Sequence, residues 1–175
     1  VFETAAFRLP RRFRRTLRAS SWHVSADTAF AAVVDACATA PRAGQDGTWI
    51  TPAMREAYRA LHAAGHAHSV EVFDGARLVG GIYGVAIGRM FFGESMFSAV
   101  PGGSKVALAM LARQLAAWEM PLLDAQLENP HLQRLGAAAW PRPRFAAAIA
   151  PLVEQDPVSD WSPRFGVQPA SALAG

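Results

Sequence analysis

VEVFDGARLVGGIYGVAI, residues 70–87, decides the fold. Val70 to Phe73 is a short β-branched and aromatic run, Asp74-Gly75 is a turn pair, and Leu78 to Ile87 is a longer apolar run. Two such runs around an Asp-Gly turn predict an antiparallel β-hairpin. Working outward, Phe91 to Phe97 reads as a third extended segment and Trp22 to Ser25 as a short one. Helical stripes flank them. Ser25 is expected to cap a helix burying Ala29, Phe30, Val33, Val34 and Cys37. Thr51-Pro52 opens another, with Met54, Tyr58 and Leu61 inward and Gly65 at its end. A helix from about Ser104 to Trp118, a buried strand from Leu122 to Leu127 and a last helix from about Arg144 to Val153 follow. The pattern is that of an α/β (α+β) layered domain with a mostly antiparallel central sheet flanked by helices.

The 175 residues fit one such domain, since 51% are hydrophobic and 18% charged. The longest uncharged apolar stretch, Leu78 to Gly88, is far shorter than a membrane span, so no membrane contact is expected. Residues 1–20 lack the apolar segment of a signal peptide, and Cys37 is the sole cysteine, which excludes an internal disulfide and fits a reducing cytoplasm; a monomer is the expected state. The sequence begins at Val1 rather than methionine, as a piece of a longer protein would. Charge is uneven: residues 1–20 hold six arginines and one glutamate, while the remaining residues are slightly acidic. Pro10 opens a short helix carrying Arg11 to Arg18, with Phe13 and Leu17 as its apolar pair. This segment reads either as a solvated arginine-rich helix or as a contact for a polyanion, most simply nucleic acid. The domain organisation expected is a basic segment at 1–20, a folded domain at 21–155 and a loose, Pro- and Ser-containing tail at 156–175.

Four motifs bear on chemistry. His62, His66 and His68 approach a zinc spacing, but the glutamate of HExxH is missing and Gly65 breaks the helix, so no metal is expected. Ser95 in GES has Phe97 where a nucleophile elbow needs its second glycine. PGGSK, residues 101–105, opens a helix without the full phosphate-loop pattern and is a plausible place for an anionic backbone to touch. LLDAQ, residues 122–126, is more telling: on a strand Asp124 and Gln126 share a face. A carboxylate beside a carboxamide is either a polar pair satisfied at a strand end or a reaction site. Glu94, in MFFGESMFS at 90–98, raises the same question, because a carboxylate among aromatic residues and methionines is costly without a partner.

TWI (48–50), AHSVE (67–71), LVGGIYG (78–84), GESMFS (93–98), Ser104-Lys105, LLDAQ and LGA (135–137) occur in one order. Together they resemble the bacterial leucyl/phenylalanyl-tRNA–protein transferases over residues 8–150. The resemblance implies a GNAT-like acyltransferase fold and the transfer of leucine or phenylalanine from Leu-tRNA or Phe-tRNA to proteins with N-terminal Arg or Lys. That transfer marks the acceptor for degradation, and neither coenzyme A nor a metal is implied. Such proteins carry a further N-terminal domain with a WWSPDPR-like element, which is absent here. Ala99 stands where arginine is common, and Gly102-Gly103 replaces the usual Asn-Ala.

By this resemblance Glu94, Asp124 and Gln126 are the catalytic residues, with Glu94 and Asp124 pairing with the acceptor's cationic side chain. Trp49 would stack on the 3′ adenosine, and Ile82, Phe91, Met96, Leu111, Leu115 and Leu123 would line the slot for the aminoacyl side chain. Each of these apolar residues is equally readable as core. Arg11, Arg12, Arg14, Arg15 and Lys105 would touch RNA phosphates. Two rivals stand beside this reading. One is a non-catalytic RNA-binding module, and the other is an acyl-CoA N-acetyltransferase, whose CoA loop Val100 to Lys105 does not match.

Overall fold

The computed structural model describes residues 1–40 and 48–175. At its centre is the expected hairpin. Strand β3 (Ala67–Asp74) pairs antiparallel with β4 (Arg77–Ile87), and Gly75 takes the left-handed conformation (φ +57°) that the two-residue turn requires. β4 continues through a second tight turn into antiparallel β5 (Met90–Ser98). The other strands are β1 (Phe2–Glu3), β2 (His23–Ala26), β6 (Leu122–Asp124) and β7 (Gln168–Pro169). The described residues form one sheet of order β1-β6-β5-β4-β3-β2-β7. Only β5 and β6 are parallel, joined across one face by helix α4 (Gly103–Ala117). The mixed α/β, acyltransferase-like fold read from the sequence is what forms.

Two apolar layers sandwich the sheet. On one face α4 buries Val106, Leu108, Met110, Leu111 and Leu115 against Ile82, Phe91 and Leu123. It approaches β4 closely because both partners are glycine: a Cβ on Gly80 would lie 2.3 Å from the Gly103 carbonyl carbon. On the other face α2 (Phe30–Thr39) and α3 (Pro52–Ala63) pack Phe30, Val33, Cys37 and Tyr58 against Tyr83 and Phe97. Fully burying each large side chain contributes about 1.5–3 kcal/mol. Among the described residues no helix is long and apolar enough to cross a membrane.

Several expectations are corrected. Ser25 lies in β2 and does not cap α2; its hydroxyl donates to the Glu71 carboxylate (3.0 Å). Leu61 faces outward, 36% exposed, because α3 is anchored mainly by Tyr58. The strand at 122–127 stops at Asp124. Residues 1–20 are not set apart: Phe2 is buried and β1 pairs with β6 as an edge strand, ahead of α1 (Arg11–Leu17).

The tail at 156–175 is not loose either. After α5 (Pro130–Gln133) and α6 (Arg142–Val153), helix α7 (Trp161–Phe165) places Trp161, 2% exposed, in a stack on His68 with centroids 3.9 Å apart. Beyond it β7 pairs with β2, and Arg113 donates to the Ala172 carbonyl (2.9 Å). The Pro and Ser content suggested mobility, but Trp161 and Phe165, spaced i, i+4, supply the anchor.

Candidate active site

Strand β5 contains a bulge. Gly93 pairs with Gly84 and Ser95 with Tyr83, so Glu94 is the extra residue. The bulge reverses the alternation of the strand: Phe91 packs on the α4 face, whereas Phe97, six residues on, packs on the α2 face. It also turns Glu94 and Met96 toward a small slot of about 90 Å³ beside α4. Ile82, Met96, Leu108 and Leu123 supply its apolar walls, Glu94 its one charge and Ala125 its rim.

Glu94 is held by the hydroxyl of Tyr58, which donates to Oε2 at 2.8 Å. Burial, reinforced by this hydrogen bond and by the Glu94 charge, pushes the Tyr58 hydroxyl well above the usual phenol range, so it remains a donor. The ring is fixed edge-on to Tyr83 (5.0 Å) and to Trp49 (6.4 Å). Trp49 precedes buried Ile50 and the Thr51 cap of α3, and it is 45% exposed.

Sharing Ala125 with the slot is a second, more polar cavity of about 290 Å³ that includes Asp124, Gln126, Leu127, Asn129 and Trp140. The reason β6 stops at Asp124 is visible here. Asp124 Oδ1 accepts the Gln126 backbone N–H at 2.9 Å, and Gln126 takes φ +60°. This side-chain turn competes with continuation of the strand. Asp124 and Gln126 therefore share a cavity through a turn rather than through the two-residue period of a strand.

Ile82, Met96 and Leu123 thus reach the slot together with Glu94. Phe91, Leu111 and Leu115 do not line it; they are fully buried in the core beneath, on the same face. Leu108 was missed, although it lies on the helical stripe of Leu111 and Leu115 one turn earlier. Tyr58 read only as core, and nothing in the sequence paired it with Glu94. Glu94 and Asp124 line adjoining cavities that meet at Ala125, not one shared pocket.

Arg11, Arg12 and Arg15 project from α1 into solvent. Arg14 is engaged with the Gly175 carbonyl oxygen (2.6 Å), and Lys105 lies over the Phe13 ring, 4.7 Å from its centroid. The histidines of LHAAGHAH are spread apart. His62 stacks on Phe30 and bonds the Ala67 carbonyl through Nδ1 (2.8 Å), His68 bonds Asp27 (2.7 Å), and His66 is exposed. Glu71, also unforeseen, is completely buried and accepts from Ser25, Thr28 and Ser69. Burial raises it above the usual carboxylate range despite these donors.

Residues 1–150 match the family model described as leucyl/phenylalanyl-tRNA protein transferase. The chain is 64% identical over 174 residues to the leucyl/phenylalanyl-tRNA–protein transferase of Xanthomonas axonopodis pv. citri, covering 99% of this chain and 70% of the relative. It is 61% identical over 176 residues to that of Xanthomonas campestris pv. campestris strain 8004 (100% and 71%). The corresponding protein of Xylella fastidiosa strain M12 is 62% identical over 167 residues (95% and 68%). On the family match over residues 1–150 and on these relatives, the chain belongs to the leucyl/phenylalanyl-tRNA protein transferase family of enzymes.

Proposed function

We propose that this protein moves leucine or phenylalanine from aminoacyl-tRNA to the α-amine of proteins beginning with Arg or Lys, in the cytoplasm and as a monomer, marking them for degradation. The observation that carries the reading is the meeting of an apolar slot and a polar cavity at Ala125. An aminoacyl side chain seated among Ile82, Met96, Leu108 and Leu123 brings its ester carbonyl to that junction. An acceptor amine entering from the polar side meets it beside Asp124 and Gln126.

The chemistry is ester aminolysis. The amine nitrogen attacks the ester carbonyl carbon, the bond to the ribose oxygen breaks, an amide forms, and the proton lost by the amine ends on the ribose oxygen. An α-amine has a pKa of about 8, so its neutral form costs only about 1.4 kcal/mol at pH 7. Positioning therefore outweighs base strength. Gln126 accepts a hydrogen bond from the attacking amine through its side-chain carbonyl oxygen, and Asp124 fixes the turn that presents it. The ester carries its own activation, so the reaction requires neither coenzyme A nor a metal.

Glu94 pairs with the guanidinium or ammonium of the acceptor at the junction, with Asp124 as the second carboxylate. The open face of Trp49 stacks on the 3′ adenosine, a contact contributing about 1–3 kcal/mol. Arg11, Arg12 and Arg15, with Lys105, touch phosphates without reading sequence; Arg14 joins them if RNA draws it from the Gly175 carbonyl.

The test is transfer of labelled leucine from Leu-tRNA to matched peptides beginning with Arg, Lys and Ala. Transfer to the first two is expected, with the preference for Arg over Ala lost in Glu94→Gln. Absence of transfer by the wild type would overturn the proposed reaction, and a preference retained by the variant would overturn the role of Glu94. Gln126→Ala is expected to lower the single-turnover rate without weakening tRNA binding.

A further inference from the structure

Residues 125–129, between β6 and α5, form a loop that is pinned along its length. Asp124 Oδ1 accepts the Gln126 N–H (2.9 Å), the Leu127 N–H donates to the Ala125 carbonyl (2.7 Å), and the Gln133 amide donates to Glu128 (2.6 Å). Asn129 closes the loop, its side-chain oxygen accepting the His131 N–H at 2.7 Å and so capping α5. Leu127, in the middle, is 80% exposed, the highest of any large apolar side chain among the described residues. A leucine held in water by a fixed backbone, next to Gln126, gains from an apolar partner. Two aromatic residues line the same cavity as Leu127: Trp140, and Phe145 on α6, both half-buried. The Arg144 guanidinium lies 3.8 Å from the Trp140 ring centroid and is itself 3.8 Å from the Glu3 carboxylate, which fixes the indole. The cavity that holds Asp124 and Gln126 therefore has a second, apolar part built from three large side chains.

We infer that Leu127, Trp140 and Phe145 form a subsite for the second residue of the acceptor, selecting proteins whose N-terminal Arg or Lys is followed by a large apolar or aromatic residue. This rests on the proposed reaction and extends its acceptor site one residue along the peptide. An acceptor whose α-amine meets Gln126 carries its next Cα about 3.8 Å further on. That residue lies in the polar cavity, because the slot sharing Ala125 holds the aminoacyl side chain. Leu127 is the chain neighbour of Gln126, so it is the first apolar surface the second side chain meets. Two of the side chains lining the cavity are carboxylates, Asp124 and Glu128, and one is a guanidinium, Arg142. That balance favours the cationic start of an acceptor over the phosphates of the donor.

The experiment measures kcat/KM of the full chain for leucine transfer from Leu-tRNA to matched peptides beginning Arg-Phe, Arg-Leu and Arg-Gly. Withdrawing about 40 Å² of apolar surface from water corresponds to about fivefold, so the first two should exceed Arg-Gly by about that factor. Leu127→Ser and Trp140→Ala should each bring the ratio of Arg-Phe to Arg-Gly to within about twofold of one, whereas Leu127→Met should retain it. A purely structural role of the loop would lower all three peptides alike and leave the ratio in place, which would overturn the subsite. So would equal wild-type rates on the three peptides. Weaker Leu-tRNA binding by Trp140→Ala with the peptide ratio intact would give the cavity to the donor and overturn the proposal. Wild-type transfer without a preference at the second residue would overturn the subsite alone and leave the proposed reaction standing. Absence of transfer to any of the three would overturn the reaction and the subsite with it.

Discussion

Replacing Tyr58 by phenylalanine deletes one hydroxyl and leaves the ring in place. The ring keeps its edge contacts with Tyr83 (5.0 Å) and Trp49 (6.4 Å), so the packing of α3 on the sheet survives. What disappears is the 2.8 Å bond that fixes the Glu94 carboxylate at the bulge. A hydrogen bond to a charged acceptor contributes about 1.5–3 kcal/mol. Glu94 is only half-buried, so water replaces part of the loss and the low end applies. About 1.4 kcal/mol corresponds to a tenfold change in rate. In a transfer assay with Leu-tRNA, kcat/KM toward an Arg-initiated peptide should fall about tenfold. An Ala-initiated peptide, which brings no side-chain cation, should lose no more than about twofold. Unfolding by urea should show a stability change within about 1 kcal/mol. Equal losses on the two peptides would refute the reasoning, because Tyr58 would then act on the shared chemistry rather than through the carboxylate proposed to meet the acceptor.

Three further outcomes are expected. Leu108→Phe narrows a slot of about 90 Å³, so transfer of phenylalanine should fall more than transfer of leucine, measured as the ratio of the two kcat/KM values. Trp161→Ala removes a fully buried indole from its stack on His68 and should destabilise the chain by about 3–5 kcal/mol in urea unfolding, as a loose tail would not. Glu71 is held above the usual carboxylate range by burial, so the folded chain binds this proton more tightly than the unfolded one. Its contribution is full below the unfolded value and declines as pH rises through the folded value; Glu71→Gln should remove that decline from urea midpoints measured between pH 4 and 8.

Much of the site was legible from local signals. The Asp-Gly turn and its apolar flanks announced the hairpin, and LLDAQ announced a polar pair at the end of a buried run. Ile82, Met96 and Leu123 were slot candidates through the family resemblance, and they line the cavity beside Glu94. The same resemblance offered Phe91, Leu111 and Leu115, which are core, since period and hydrophobicity do not distinguish a wall from the core behind it.

The chain by itself determined the central strands and the longer helices, where the positive charge concentrates and which residues are candidates for chemistry. These are properties of neighbours along the backbone. Tertiary structure alone decided the rest. The bulge at Glu94 exists because β4 offers one residue fewer than β5 across the pair, and it reverses every side chain beyond it. The turn that carries Gln126 forms because Asp124 caps it in preference to extending the sheet. The Tyr58 hydroxyl finds Glu94 across 36 residues, and Trp161 finds His68 across a still longer span. Such pairings depend on which surfaces meet once the sheet is closed, and no local periodicity encodes that meeting.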